Sequence, residues 1–591
     1  MRVSGVPDFS DPGQEENMNA PDRADSIGTN VETSVASRYI DALYRHGIRH
    51  LFGNGGTDFP PIIEALALAR AAGRPTLEPV TVPHEGVAIA MAYGAYLATG
   101  NAQAVMVHVG LGTANAMCGL FNAARQHIPL LLTAGRTPIL EAGATGARNN
   151  YINWAQEMFD QGGMLRELVK WDYELRVPEQ IDTVVDRAFA IAQSAPPGPA
   201  YLVLPREVLA APAASAPVSD TISVRPAAAG RAAEADLQLL AQWISQAARP
   251  LIITSDAGRN AKAFHALEAF ATQHKIPVVQ YRPRFLSIPC DSAVHAGYDP
   301  NPWVPEADLI LVVEADVPWL PGQVKPKDSC KVAHLGRDPL YARYPIRGFR
   351  SDLSLQADTE PTIRELAAIL RSPASASHGS RAREQWIMAC GRPASAPDPH
   401  TLNHRYVSRC VAGAMDDTSV LFNEYTFTLE DLAVQQPGRY FSHSPAGGLG
   451  WALGACMGYR LERPDVLGFA TVGDGTYMFS EPTPTHFVSR ARNLPFITVI
   501  YNNRRWAAVH RATLSIYPDG AAAAMDEPLF ATLEPAPDYE KIVEASGGLG
   551  IRVERAADLP AALERARHAV RVEGRQAVLN VLTVVGYARS S

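Results

Sequence analysis

Short apolar runs alternate with longer amphipathic stretches along most of this 591-residue chain. Runs such as AVMVHVG and PFITVIY are typical of buried strands, and stretches such as VASRYIDALYRHGI carry apolar residues at helical spacing. Strands that alternate with helices in this way predict parallel sheets with helices packed on both faces. We therefore expect an α/β protein built from doubly wound parallel-sheet domains.

Two segments rich in Ala, Pro and Ser divide this alternation into three parts. AAPAASAPVSD ends the first part near residue 212, and RSPASASHGS with GRPASAPDPH precedes the third part, which opens near residue 400. We expect three domains of similar size, at 33–211, 230–372 and 400–588. Residues 1–32 are polar and rich in Gly, Pro, Asn and Asp, and they predict a disordered leader.

The composition argues against several classes of protein. The chain is 47% hydrophobic and carries a formal net charge of -8 without a basic stripe, which gives no support to nucleic-acid binding. No uncharged apolar run is long enough to predict a membrane span. The six cysteines show no CxxC spacing and predict free thiols in a reducing compartment, not a metal or disulfide framework. We expect a soluble, cytoplasmic protein.

The most informative stretch runs from Gly473 to Asn503. One predicted strand ends at Gly473-Asp474-Gly475, and the next ends at Asn502-Asn503, about thirty residues further on. In a parallel sheet both ends lie at one edge, where open α/β sheets bind ligands. Asp474 and Asn503 then offer a carboxylate and an amide oxygen to Mg²⁺, and a phosphorylated ligand completes the shell. The alternative is a tight turn followed by an Asn-Asn loop, which GDG alone would favour.

GDG followed by NN at this spacing resembles the diphosphate and magnesium motif of thiamine diphosphate-dependent enzymes, and the resemblance extends over nearly the whole chain. It implies a pyrimidine-binding domain, a middle domain and a diphosphate-binding domain, the first and third related in architecture. It also implies active sites shared between subunits, so that a homodimer or homotetramer is expected. The implied cofactors are thiamine diphosphate and Mg²⁺. We do not expect FAD, because the GMHG and RFDDR stretches of FAD-containing acetolactate synthases are absent.

The resemblance assigns further cofactor contacts in the third domain. Thr426 matches a donor to the diphosphate, whereas the serine that follows it in relatives is Phe427 here. The carbonyl of Gly447 matches the acceptor for the aminopyrimidine amino group, and Leu449 matches the apolar residue that bends the cofactor. Around the GDG motif the implied cofactor contacts are Gly473, Asp474, Gly475, Thr476 and Asn503, and the implied metal ligands are Asp474, Asn503 and the carbonyl of Arg505.

The segment between the GDG and NN motifs and the segment after them carry two further expectations. Glu481, Pro482 and Pro484 predict that the helix between the two motifs starts late or is kinked. The polar stretch 512–528 is a candidate lid that orders over the site when substrate binds.

Three residues of the first domain are catalytic candidates. Glu85 begins a helix of small residues; the resemblance assigns it the protonation of the aminopyrimidine ring, and a first-turn residue that stabilises the helix is the alternative. His108, in VHVGLGTANAM, resembles a histidine of benzoylformate decarboxylase and is our candidate for substrate contact and proton transfer, with a core histidine as the alternative. Thr57 matches a serine that touches the substrate carboxylate. We expect residues 110–113 to form a loop.

Two other stretches are similar to sites in relatives. Gln156 and Glu157 match a segment of acetolactate synthases near the cofactor entrance, although a plain helical role is equally open. Arg284 and His295 belong to a loop that reaches toward the active site in relatives, and surface roles are open for both.

These assignments predict a thiamine diphosphate- and Mg²⁺-dependent lyase or ligase acting on carbon–carbon bonds. Decarboxylation or carboligation of a 2-oxo acid, as in benzoylformate decarboxylase, is favoured by His108 and GTANAM. A 2-hydroxyacyl-CoA lyase acting on an acyl-CoA is the alternative, favoured by Arg504 and Arg505, and an acetolactate synthase-like enzyme is the second alternative. A degenerate, non-enzymatic subunit would lack Glu85 or Asp474, and both are present.

Overall fold

The computed structural model of this chain describes residues 33–213, 221–371, 380–390 and 397–584. The predicted leader, most of both predicted linkers and the last residues of the third predicted domain lie outside this part of the chain. The strands are β1 (His50–Gly53), β2 (Glu78–Thr81), β3 (Gln103–Val107), β4 (Leu130–Arg136), β5 (Asp172–Glu174), β6 (Ala200–Pro205), β7 (Pro250–Thr254), β8 (Val278–Gln280), β9 (Leu309–Val313), β10 (Lys331–Gly336), β11 (Leu353–Gln356), β12 (Ser419–Glu424), β13 (Tyr440–Ser442), β14 (Leu467–Gly473), β15 (Ile497–Asn502), β16 (Leu549–Val553) and β17 (Ala577–Leu582).

Helices connect these strands and cover the faces of the sheets. They are α1 (Val35–Arg45), α2 (Pro60–Ala71), α3 (Glu85–Thr99), α4 (Val109–Arg125), α5 (Ile152–Ala155), α6 (Ile181–Gln193), α7 (Arg206–Ala210), α8 (Glu234–Gln246), α9 (Ala261–His274), α10 (Thr359–Leu370), α11 (Ser380–Cys390), α12 (His404–Ala414), α13 (Trp451–Glu462), α14 (Asp474–Phe479), α15 (Pro482–Ala491), α16 (Ala507–Ile516), α17 (Tyr539–Glu544) and α18 (Leu559–Arg571).

Three parallel sheets organise the described residues, which confirms the predicted α/β fold. The first sheet has the strand order β2-β1-β3-β4-β6-β5, the second has β11-β10-β9-β7-β8, and the third has β13-β12-β14-β15-β17-β16. Every strand pair is parallel. The first and third sheets share one order when each is counted from its own first strand. In both, the carboxyl ends of the strands form one edge that is available to a ligand.

The helix after β3 begins earlier than the sequence predicts. Residues 110–113, expected as a loop, belong to α4, which begins at Val109. Its first turn is anchored from outside, because the Val109 N–H donates to Asp58 Oδ2 at 3.2 Å. The glycines of this segment provide space: a Cβ added to Gly112 would lie 3.2 Å from Glu85 Oε1. Glycine there allows close packing of backbone and side chain, not a flexible turn.

The segment between the GDG and NN motifs forms two helices with a break between them. Helix α14 ends at Phe479 and α15 begins at Pro482, and Glu481 between them has a φ of 47°. Proline is well tolerated at the first position of a helix, where its missing N–H would have no partner. The stretch 512–528 begins inside α16, so the predicted loop is partly helical, and α16 has no buried residue. Its role as a lid remains a prediction.

Helices α3 and α13 join the first and third sheets through backbone contact. A Cβ added to Gly94 would lie 1.9 Å from the carbonyl oxygen of Ala455, and one added to Gly458 would lie 1.8 Å from that of Met91. Only glycine allows two helices to approach so closely. This packing fixes the first turns of both helices relative to each other, and the predicted cofactor contacts Glu85 and Leu449 stand at those turns.

The structure bears on two predictions from the composition, which concern the cysteines and membrane spans. All six cysteines are free. Across the described ranges, no helix combines the length and the apolarity that a bilayer crossing requires.

Candidate active site

Glu85 is the first residue of α3, and its side chain is buried. Asn54 Nδ2 donates to Oε1 at 3.0 Å, and Asn115 Nδ2 donates to Oε2 at 3.1 Å. Asn54 lies in the loop after β1 and Asn115 lies on α4, so two separate elements fix the orientation of the carboxylate. Neither asparagine was predicted as a site residue, although Asn115 lies within the GTANAM run.

His108 follows β3 and caps the start of α4. Its Nδ1 lies 2.5 Å from Asp58 Oδ1, and its Nε2 lies 3.3 Å from Gln156 Nε2. The hydrogen bond to Asp58 raises the pKa of His108; the negative charges of Asp58 and Glu85 act in the same direction, and burial acts against them. Such a histidine can change its charge near neutral pH. Asp58 was not predicted as a site residue, and the only feature of the sequence that points to it is its position next to Thr57.

Thr57 precedes Asp58 in the chain and Glu157 follows Gln156, but neither side chain binds His108. The backbone carbonyl of Thr57 accepts a hydrogen bond from Arg206 Nη1 at 3.0 Å, which holds the loop, and Thr57 itself is exposed. Glu157 forms ion pairs with Arg136 at 2.6 Å and Arg148 at 2.8 Å. We therefore assign Glu157 to loop structure, and Thr57 remains a predicted substrate contact.

Asp474 follows β14 and is 2% exposed. Its Oδ1 accepts the N–H of Gly475 at 2.9 Å, whereas its Oδ2 is buried without a protein partner. Burial raises the pKa of Asp474 to about 6, and the backbone N–H groups of Gly475, Arg504 and Arg505 act against this. A buried carboxylate oxygen without a donor is costly unless a cation or another ligand group meets it.

Asn503 follows β15, which pairs with β14, so the two predicted metal ligands lie on neighbouring strand ends. Asn503 Oδ1 accepts the N–H of Arg505 at 3.0 Å, and the carbonyl of Arg505 accepts the N–H of Ala507 at 2.9 Å. Each of these oxygens keeps a second lone pair. Asn502 instead binds Asn580 Oδ1 at 3.0 Å inside the sheet. Together with Asp474 Oδ2, the oxygens of Asn503 and Arg505 fit half of a Mg²⁺ shell.

Thr426 lies just beyond β12, and its Oγ1 is buried without a protein partner. A Cβ added to Gly473 would lie 3.7 Å from Thr426 Cγ2 and 3.8 Å from Thr476 Oγ1, so these three residues surround one point. The neighbouring Gly475 packs against Trp506, whose ring would lie 2.3 Å from an added Cβ. The free hydroxyl of Thr426 fits a donor to a phosphate oxygen.

Gly447 and Leu449 precede α13 and lie near the first domain. Gly447 has a φ of 72°, and a Cβ there would lie 2.8 Å from the hydroxyl of Tyr425. Leu449 is half-buried and lines a cavity of about 160 Å³ together with Gly86 and Asn115. The predicted wedge therefore faces the asparagine that holds Glu85.

Glu424, at the end of β12, holds the first turn of α13. Its Oε1 accepts the N–H of Gly450 and its Oε2 accepts that of Ala452, each at 2.8 Å. Burial raises the pKa of Glu424 to about 7, and the backbone N–H groups of Ala452, Gly450 and Trp451 act against this. Because Gly450 offers no side chain to cap the helix, Glu424 takes that role from a distant strand. The segment Gly447–Leu449 is thereby tied to the strand that leads to Thr426.

The structure thus gathers most of the predicted site residues into two clusters, and Thr57, Gly447 and Leu449 lie outside both. The first-domain cluster contains Glu85 and His108 with the unpredicted Asp58. The third-domain cluster contains Thr426, Gly473, Asp474, Gly475, Thr476, Asn503 and the Arg505 carbonyl. Within the described part of the chain, no hydrogen bond or ion pair joins one cluster to the other.

Comparison with known families assigns each cluster to a domain type. Residues 33–164 match the family described as thiamine pyrophosphate enzyme, N-terminal TPP binding domain. Residues 424–581 match thiamine pyrophosphate enzyme, C-terminal TPP binding domain. The chain belongs to the thiamine diphosphate-dependent enzymes. Every residue of both clusters lies within the two matched regions of this thiamine diphosphate enzyme.

Individual relatives share a modest part of its sequence. The acetolactate synthase isozyme 3 large subunit of Escherichia coli is 23% identical over 91% of this chain and 93% of its own. Benzoylformate decarboxylase of Pseudomonas aeruginosa is 26% identical over 80% of this chain and 87% of its own. The probable 2-ketoarginine decarboxylase of that organism is 25% identical over 84% and 86%. This thiamine diphosphate enzyme is therefore similar, over most of its length, to an acetolactate synthase and to two decarboxylases.

A solved structure shows the same fold. The 4-hydroxybenzoylformate decarboxylase of Rhodococcus jostii RHA1 superposes with a TM-score of 0.75 at 22% identity, covering 93% of this chain and 99% of that one. The superposition therefore extends over all three sheets of the thiamine diphosphate enzyme.

Proposed function

We propose that this enzyme is a lyase that decarboxylates a 2-oxo acid, or joins the resulting fragment to a second carbonyl compound. The observation that carries the proposal is the first-domain cluster, in which His108 is held by Asp58 close enough to Glu85 for their charges to interact. A proton donor and acceptor beside the activating glutamate suits a reaction that must move protons after carbon dioxide leaves. Two of the similar proteins are named as decarboxylases of 2-oxo acids, which supports the same class.

We further propose that Mg²⁺ and thiamine diphosphate lie between the two clusters. Asp474 Oδ2, Asn503 Oδ1 and the Arg505 carbonyl would bind the metal, and Thr426 would donate to the diphosphate. Bound thiamine diphosphate supplies the nucleophilic carbon and the electron sink for cleavage next to a carbonyl. The unpartnered buried oxygens of Asp474 and Thr426 support this placement, because both need a ligand group that the protein does not supply.

The remaining chemistry falls to side chains of the first domain. Glu85 holds a proton against the aminopyrimidine ring, and its two asparagine partners keep it in one rotamer. His108 exchanges a proton with the substrate, and the exposed Thr57 offers a hydroxyl to the substrate carboxylate. Leu449 shapes the space between the domains, where rigid packing sets the positions of reacting groups.

The charged residues of the middle domain are evidence for a substrate that contains no nucleotide. Nucleotides bind doubly wound sheets at the point where strand order reverses, here between β7 and β9. Arg284 lies at this point: its guanidinium pairs with Asp256 at 2.8 Å and Asp316 at 2.9 Å, and all three are buried. Glu314 adds a third carboxylate, bound by Thr359 at 2.9 Å. Acidic groups that occupy the crevice oppose the diphosphate of FAD or CoA.

Arg504 and Arg505, which favoured an acyl-CoA substrate, make contacts within the protein. Arg504 pairs with Glu534 at 3.1 Å on the surface, so its charge is already matched. The backbone of Arg505 binds the loop at Asn503 and Ala507. We therefore rank the 2-hydroxyacyl-CoA lyase second.

Exposed apolar side chains next to both clusters support a homodimer. Phe159 and Tyr151 follow the first-domain cluster in the loops around α5, and Phe530 follows the third-domain cluster, with exposures of 110%, 85% and 96%. A contiguous exposed apolar surface marks a subunit interface, and these three residues are our candidates for such a surface. We propose that the first-domain cluster of one subunit faces the third-domain cluster of a second subunit.

The test is substrate turnover together with CoA binding. Protein loaded with thiamine diphosphate and Mg²⁺ is given benzoylformate or pyruvate, and we expect release of carbon dioxide. Calorimetry of the same protein with CoA should show no binding. Micromolar CoA binding, with cleavage of a 2-hydroxyacyl-CoA, would replace our proposal by the acyl-CoA lyase.

A further inference from the structure

Asp58 is buried against His108, and the proposed mechanism gives Asp58 no role of its own in the reaction. Asp58 follows β1 and His108 follows β3, and these two strands are neighbours in the first sheet. The side chain of Asp58 is 3% exposed and that of His108 is 19% exposed. Asp58 Oδ1 lies 2.5 Å from His108 Nδ1, and Asp58 Oδ2 accepts the Val109 N–H at 3.2 Å. Both carboxylate oxygens are therefore engaged, and one of them is engaged by the imidazole.

The backbone around the pair is shaped to hold it. A Cβ added to Gly56 would lie 2.1 Å from His108 Nδ1, and one added to Gly135 would lie 1.8 Å from Asp58 Oδ2. Neither glycine has a positive φ, so neither is needed for its backbone conformation. Their absent side chains make room for the carboxylate and the ring.

The other side of the imidazole faces Gln156. Gln156 Nε2 lies 3.3 Å from His108 Nε2, and Gln156 Oε1 is buried without a partner. With Nδ1 as the donor to Asp58, Nε2 is the basic atom and accepts from the amide. When Nε2 carries a proton, the free Oε1 can accept it after rotation of the amide. Gln156 therefore serves both protonation states of His108.

We infer that Asp58 is a positioning residue of the reaction, which holds Nδ1–H of His108 so that Nε2 is the atom that exchanges a proton with the substrate. This inference rests on the proposed function for the identity of the substrate, and on geometry alone for the pair. An aspartate that orients a histidine in this way fixes its tautomer and stabilises its protonated form. The charged groups that act on His108 are Asp58 and Glu85, both negative.

Asp58→Asn is the direct test, because asparagine keeps the size and an acceptor for Val109 but removes the charge. The first readout is the titration of His108 in cofactor-free protein carrying ¹³C-labelled histidine, with the signal assigned by its loss in His108→Gln. We expect the midpoint to fall by about one pH unit or more, as when an adjacent opposite charge is removed. The second readout is the pH profile of kcat/KM, whose limb should move to lower pH by the same amount.

Asp186→Asn is the matched control, because Asp186 also pairs with a buried histidine, His46, at 2.8 Å, but on α6 and away from both clusters. It should leave the His108 titration and the pH profile unchanged. If Asp58→Asn does not fold, the smaller Asp58→Ser serves in the same titration.

The inference is overturned if Asp58→Asn folds and loses activity while the His108 midpoint and the pH profile stay as in the wild type, since Asp58 is then a structural residue only. Failure of the proposed function has a different signature: no 2-oxo acid is turned over by the wild type, yet the titration still separates Asp58→Asn from Asp186→Asn.

Discussion

Four buried carboxylates of the candidate site differ in their hydrogen-bond partners. Glu85 is held by two side-chain amides, Asp58 by an imidazole and a backbone N–H, and Glu424 by two backbone N–H groups. Asp474 alone among the four keeps a buried oxygen without a partner. Because burying an unpaired charge is costly, this oxygen is the observation that supports the proposed metal site.

At the residue scale, Glu85→Gln should bind thiamine diphosphate normally and lose turnover by roughly 10²-fold or more, the scale of general acid–base catalysis. Glutamine keeps the size of the side chain, and the asparagine that faces its NH2 group must flip to accept from it. The amide cannot take up and release a proton. Cofactor calorimetry and initial rates measure the two effects separately. Glu64→Gln, on the exposed face of α2, is the control. Turnover at the wild-type level would remove Glu85 from the mechanism.

Asp474→Asn should weaken Mg²⁺-dependent retention of the cofactor. The amide keeps the size of the side chain but loses its charge, and changes around a bound metal cost roughly 10–100-fold in affinity. Titration of Mg²⁺ at fixed thiamine diphosphate, followed by calorimetry, measures the shift. Asp465→Asn, an exposed position just before β14, should bind as the wild type does. Equal Mg²⁺ affinity in both variants would place the metal elsewhere.

At the scale of elements, the contact of α3 with α13 sets the distance between the first and third sheets. Gly94→Ala places a methyl group 1.9 Å from the Ala455 carbonyl, so the helices must separate. Overpacking of this kind costs about 1–3 kcal/mol, and we expect a lower melting temperature. Gly413→Ala on α12 meets nothing within 4 Å and should be neutral or slightly stabilising. Equal melting temperatures for both variants would contradict the close contact.

Glu424 links β12 to α13 and should make stability depend on pH. Its folded pKa, about 7, lies above the ordinary value of 4.5, so the folded state binds this proton more tightly. The stabilisation is complete below about pH 4.5 and is lost as pH rises to about 7, on the order of 3 kcal/mol in total. Glu424→Gln should lower stability at pH 5 but flatten this slope. Parallel pH dependences of thermal unfolding in the two proteins would refute the assignment.

At the scale of the whole molecule, the exposed apolar residues beside the two clusters predict association. Phe530→Asp should weaken the dimer, because Phe530 is 96% exposed beside the third-domain cluster. Sedimentation velocity over a dilution series measures the change, and specific activity should fall with dissociation. Ile346→Asp, at a similarly exposed apolar residue in the middle domain, controls for the added charge. A dimer unaffected by Phe530→Asp, or equally weakened by both, would exclude this surface as the interface.

The sequence by itself determined the α/β fold, because the alternation of apolar runs and amphipathic helices is a local property. It also pointed to the family, because Gly473 to Gly475 and Asn502-Asn503 end consecutive strands that pair in parallel. Glu85 and His108 were predicted through the resemblance to that family, each at a point where a predicted strand gives way to a helix. The short edge strand β5 was missed, since its three residues are only half-buried and show no pattern.

The tertiary structure alone decided which side chains meet across strands that are distant in sequence. Asp58 lies 50 positions from His108, and they touch because β1 and β3 are neighbours in the first sheet. Arg284 meets Asp256 and Asp316 because these two residues follow β7 and β9, which are neighbours in the second sheet. Strand order is set by how whole helices and sheets pack, and no local pattern encodes it. The sequence motifs therefore predicted the candidate site residues. The packing of distant elements determined which side chains contact those residues.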